Sequence, residues 1–97
     1  MPINVSEYEK IEKEGIADLK FPSKEVLSDP TSIAERKLEL EKALKLGNNE
    51  QHKIKIYFED DSSKKIVETT VWGVTDKRVI LKQGVVIPIH RVHKIKI

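Results

Sequence analysis

A chain of 97 residues, 38% hydrophobic and 35% charged, has room for one modest core under a heavily solvated surface. Its lack of cysteine excludes a disulfide framework, a thiolate nucleophile and a cysteine-ligated zinc site. The net charge of +2 joins two unlike halves: eight Lys and Arg stand against eleven Asp and Glu in residues 1–52, and ten against five in residues 53–97.

The opening "MPINVSEYEKIEKEG" has no apolar core for a secretory signal, and no window approaches the roughly 18–20 apolar residues of a membrane span. A cytoplasmic address and no membrane partner are expected. Within this stretch Ser6 and Glu9 have capping-box spacing and Gly15 offers a stop, which predicts a short helix over about 6–14. Its apolar content is little more than Tyr8 and Ile11, too thin to offset the entropy of ordering, so residues 1–29 are expected to form a partly disordered arm. Residues 16–29 read as an irregular crossing segment, with Pro22 disfavouring helix and Phe21, Val26 and Leu27 pinning it to the domain.

The strongest helical signal is "DPTSIAERKLELEKALKLGNN", with Asp29 as cap, Pro30 at the first helical position and Gly47-Asn48 as a stop. The predicted helix covers 30–46. Ile33, Leu40 and Leu44 form its apolar stripe with Ala43 beside it, whereas Leu38 and Leu46 lie off the stripe. Its Glu and Lys residues read as a wet face, and Glu41 with Lys45 makes one favourable pair.

At His52 the hydrophobic period changes from helical to alternating. "KIKIYFEDDSSKK" puts Ile54, Ile56 and Phe58 on one side of a strand and Lys53, Lys55 and Tyr57 on the other, before a turn at "EDDSS". "IVETTVWGV" is a β-branched strand with Gly73 marking a bend or bulge and Trp72 expected in the core or against the helix. Strands "VILK" and "VVIPI" follow across the turns "TDKR" and Gln83-Gly84, with Val85, Ile87 and Ile89 on one face. Ile89 and Ile95 share parity but Val92 does not, which predicts a tight 3₁₀ turn around His90-Arg91-Val92 before a last strand "HKIKI". Phe58, Ile87 and Ile95 are the expected inward residues. The fold class is therefore α+β: an N-terminal helical arm, then a single domain over 30–97 in which helix 30–46 precedes a five-stranded, mostly antiparallel small β-barrel over 53–97.

This order of one helix and five strands, with a one-turn 3₁₀ helix before the last, resembles the small-barrel superfold of Src-homology-3-like and Sm-like domains. "GVTDKRVILKQGVVIPIHRVHKIKI" is similar in layout to the Hfq family of bacterial Sm-like RNA chaperones. Asp76 falls at that family's turn aspartate, with Lys77 and Arg78 where a glutamine and a phenylalanine are usual. His90 falls at the histidine of its tyrosine-lysine-histidine signature, with Pro88 and Ile89 in place of the other two. "IPIHRV" is also similar to a stretch of an uncharacterised domain associated with RNA repair, whose remaining pattern is absent here.

His90 and His93 have no obvious third ligand, and no nucleophile, oxyanion device or glycine-rich phosphate loop accompanies them. A non-enzymatic protein without cofactor or metal is expected. Lys53 and Lys55 should project from the first barrel strand and Lys94 and Lys96 from the last, its neighbour, where like charges require a counter-charge. One source is the acidic N-terminal half. The other is single-stranded RNA or DNA, for which the candidate residues are Lys53, Lys55, Tyr57, Lys77, Arg78, His90, Arg91, Lys94 and Lys96. The alternative is a protein-interaction or oligomerisation module, meeting another chain or a second copy through barrel edges or the helix leucines.

Overall fold

A computed structural model of the protein describes residues 5–50 and 53–97, so the expected boundary at His52 lies outside the described residues. The protein is α+β, with one α-helix, α1 (Pro30–Glu50), and two small sheets. Asp29 caps α1, its carboxylate accepting from the Thr31 amide at 3.3 Å and the Ser32 hydroxyl at 3.2 Å. The helix passes through Gly47 and does not stop there. Gly47 is instead the point of closest approach to a strand, where a Cβ would collide with the Val71 carbonyl oxygen. The buried face is Arg36, Leu40, Ala43 and Gly47, while Ile33, expected on the apolar stripe, is 36% exposed.

The first sheet has the order β1 (Glu9–Lys10), β3 (Lys64–Thr69), β2 (Ile54–Glu59), β7 (Val92–Lys96); the second runs β4 (Val71–Val74), β5 (Arg78–Leu81), β6 (Val86–Pro88). All pairings are antiparallel except β1 with β3. The expected five-stranded closed barrel is not what the pairing gives: among the described residues the two sheets are not joined into one closed ladder. The run expected as a single strand, "IVETTVWGV", is divided at Thr70, leaving β3 in one sheet and β4 in the other. Helix α1 packs on β4 and β7, one strand from each sheet.

Parity along β2 is as the alternation indicates, with Ile54, Ile56 and Phe58 inside. Ile87 and Ile95 join them at 0% exposure. A 3₁₀ turn, Ile89–Arg91, precedes β7, and Val92 behind it is buried. Val92 and Ile95 both point inward although three apart, which a regular strand forbids. A bulge resolves this: Phe58 pairs with Val92 and Tyr57 with Lys94, so His93 is the extra residue. A second register shift, between Val71 and Gly73, lies at Trp72. Trp72 is 52% exposed, not the core residue its size suggests.

No α-helix forms over 6–14. Val5–Glu7 is a 3₁₀ turn, β1 follows, and a second 3₁₀ helix covers Lys13–Asp18. With so little apolar surface to bury as a helix, the segment hydrogen-bonds along β3, and the Ile11 amide donates to the Ile66 carbonyl at 2.9 Å. Ile16, unremarked in the sequence, is 1% exposed in the core. Phe21 packs on Phe58 with ring centroids 6.1 Å apart.

Two carboxylates, the buried Asp60 and the half-buried Glu25, tie loops to this core. At the β2–β3 turn Asp60 accepts from the Ser62 and Ser63 amides at 3.1 and 2.9 Å and from the Lys65 ammonium at 3.2 Å. Burial pushes the Asp60 carboxyl up, but those amides and Lys65 outweigh it and hold it below the ordinary range. Glu25 grips the buried Arg36 at 2.6 and 2.8 Å, and Arg36 also donates to the Val92 carbonyl. Burial raises the Glu25 carboxyl too, and Arg36 with the Leu27 amide again brings it down. A depressed carboxylate contributes stability that is complete above the unfolded pKa, here the ordinary 3.8 and 4.5, and is lost as pH falls through the folded value. Thermal melting from neutral pH downward should therefore show the midpoint falling below about pH 4, and Asp60→Asn should flatten that fall. A midpoint independent of pH in this range would contradict the assignment.

A candidate anion-binding face

The outer face of the first sheet is built by the residues that alternate with the core. The register sets them in cross-strand rows: Glu68, Lys55 and Lys96 in one, then Ile66, Tyr57 and Lys94, then Lys64 and Glu59, with bulged His93 beside them. Lys53, Lys55, Lys94 and Lys96 are all exposed. Among the described residues none of the four makes an ion pair within 4.0 Å.

Two acids modulate this cluster from a distance. Glu68 is the register partner of Lys55 on its other side. Glu39, on the flank of α1, lies near Lys94; burial pushes its carboxyl up, Lys94 pulls it down and Glu35 adds to the rise. The acidic half thus reaches the cluster at Lys94 through Glu39.

Tyr57, a candidate nucleic-acid contact expected on the outward side of the strand, is only 3% exposed. Tyr8 covers it, ring edge to ring face, with centroids 5.1 Å apart, and Tyr8 also meets His93 at 5.9 Å. Lys64 lies 5.9 Å from the Tyr8 ring centre and pairs with Glu7 at 3.0 Å. Burial raises the Tyr8 hydroxyl's pKa and the Lys64 charge opposes that. His93 donates from Nε2 to the Glu59 carboxylate at 2.9 Å.

Arg91 does not reach this face as a free cation. It is 6% exposed, and its guanidinium donates to the main-chain carbonyls of Glu59 at 3.0 Å, Lys24 at 2.7 Å and Asp60 at 3.2 Å. His90 is half-buried, with Nε2 donating to the Pro22 carbonyl at 2.8 Å. The two histidines thus serve different partners. Lys77, in the β4–β5 turn, and Arg78, at the start of β5, are exposed but belong to the second sheet, where the Thr75 hydroxyl accepts from both amides.

The fold therefore brings Lys55, Tyr57, Lys94 and Lys96 together with Lys53 at the end of β2, and leaves Lys77, Arg78, His90 and Arg91 elsewhere. Sequence reasoning missed Tyr8, Lys64, Glu59 and His93. The one available signal was an aromatic side chain, Tyr8, among acids in a segment too polar to fold on its own. No protein-family model, curated protein or solved structure matches the chain.

Proposed function

We propose that the protein is a non-catalytic small-barrel binding module whose outer sheet face takes single-stranded RNA or DNA. The small-barrel reading is supported by the 3₁₀ turn before the last strand. The observation that carries the function is the exposed Lys55–Lys96 register pair. Like charges opposed across a ladder are unfavourable, and no carboxylate closes on either among the described residues. Glu68 flanks only Lys55, on the side away from Lys96; a polyanion threading between the two lysines supplies counter-charge to both, and Lys53 and Lys94 extend the track.

Replacing Lys53, Lys55, Lys94 and Lys96 together by Gln should weaken binding to short oligonucleotides. It should also reduce the slope of log affinity against log salt by up to about 3, since each neutralised phosphate on a single strand contributes about 0.7. Titrations by fluorescence anisotropy at several salt concentrations read both. No binding to RNA or DNA at low salt would overturn the proposal.

The second reading, a protein-interaction module, is favoured by a different region. An open apolar groove is lined by Ile16, Leu19, Phe21, Val85, Val86 and Pro88, and Trp72 and Leu38 are 52% and 58% exposed. A solution mass above that of the monomer, with no oligonucleotide binding, would favour it.

A further inference from the structure

We infer that the segment from Ser6 to Lys10 is an intramolecular stand-in for the bound strand, covering Tyr57 until a nucleic acid displaces it. The inference rests on the proposed function and adds a regulation to it. Tyr57 shares a row with Lys94 and follows Lys55 on the same face, and both lysines are exposed while Tyr57 is buried. The cover is thus local to the one aromatic on the cationic track.

What covers it has the chemistry of the ligand. Tyr8 sets an aromatic ring edge to face against Tyr57, in the place where a base would stack. Glu7 offers an anion to Lys64, as a phosphate would, in a pair whose side chains are 40% and 51% exposed. Glu9, two residues further, is exposed and acidic as well.

The attachment is also of a kind that can be exchanged. β1 is two residues long, both exposed, and lies at the outer edge of the sheet beside β3. Removing it leaves the β3–β2–β7 ladders intact. An exposed ion pair, two edge-to-face ring contacts and a short strand are all weak interactions, so a polyanion that replaces them has little to overcome. Displacement would give the lysine track the stacking surface it lacks when covered.

The test uses the full chain and a labelled polyuridine or polythymidine oligomer of roughly 12 nucleotides, within the usual site size of such proteins. Tyr8→Ala, and separately the exposed Glu7→Gln, should each tighten binding, Tyr8→Ala by about 2- to 10-fold, the range of one aromatic contact. Tyr57→Leu placed on Tyr8→Ala should abolish that gain, and addition of oligomer to the unaltered chain should speed hydrogen exchange at the Ile11 amide. Lysine-dependent binding that is unchanged or weakened by Tyr8→Ala and Glu7→Gln overturns the stand-in and leaves the proposed function in place. Absence of binding by every variant at low salt overturns both. Melting curves establish that each variant is folded.

Discussion

An Arg91→Met variant is expected to lose about 3–5 kcal/mol of stability, a large part of the total for a domain of this size. Arg91 ends the 3₁₀ turn that precedes β7, and its three bonds gather the carbonyls of Lys24, Glu59 and Asp60 from two otherwise separate stretches of chain. Methionine fills much of the same volume without a donor, so the buried Asp60 carbonyl is left unsatisfied, at about 1–3 kcal/mol before relaxation, and the part-buried Glu59 and Lys24 carbonyls also lose their donor. Arg91→Lys should recover only part of the loss, because a single ammonium cannot serve three acceptors in a planar fork. Urea unfolding followed by circular dichroism gives the comparison directly. A loss below about 1 kcal/mol, the level of an exposed contact, would mean that Arg91 is free in solution and would return it to the anion-binding set.

How much of this architecture the sequence declares differs from element to element for physical reasons. The start of α1 is legible because Asp29 and Pro30 act locally: the carboxylate needs only the amides that follow it. The end is not, because glycine serves equally as a left-handed cap and as a place for close approach. The Val71 carbonyl that decides between them is distant in sequence. Parity in β2 is legible since side-chain alternation is a property of the strand itself. That Tyr57 is nevertheless covered depends on Tyr8, for which no periodicity speaks.

The phase break at Val92 was visible as a pattern. The sequence attributes it to one turn, whereas the chain uses two devices, the 3₁₀ turn and the bulge at His93. A bulge costs one unpaired residue and leaves no required residue type, so nothing in "HRVHKI" marks it. Of the candidate site, the lysines emerge from alternation alone. The role of Arg91 is not legible, because a basic residue in a turn looks the same whether it meets solvent or main-chain carbonyls.

Phe58→Ala should cost about 3–5 kcal/mol, and its outcome bears on the binding face as well as on the core. Phe58 is 0% exposed, pairs in register with Lys65 and Val92, and holds Phe21 of the crossing segment against the sheet. Deleting the ring removes its transfer energy and leaves a cavity which the neighbouring strands, fixed by their ladders, can only partly close. Phe21→Ala should cost less, since Phe21 is half-buried, and the double variant should fall short of additivity by about 0.5–1.5 kcal/mol, the worth of one ring pair. Neighbours along a strand point to opposite faces, so the burial of Phe58 requires that Tyr57 and Lys55 point outward. If Phe58→Ala proved nearly neutral while Tyr57→Ala unfolded the chain, the parity of β2 would be inverted. Lys55 would then face the core, and neither the cationic track nor its Tyr8 cover would exist.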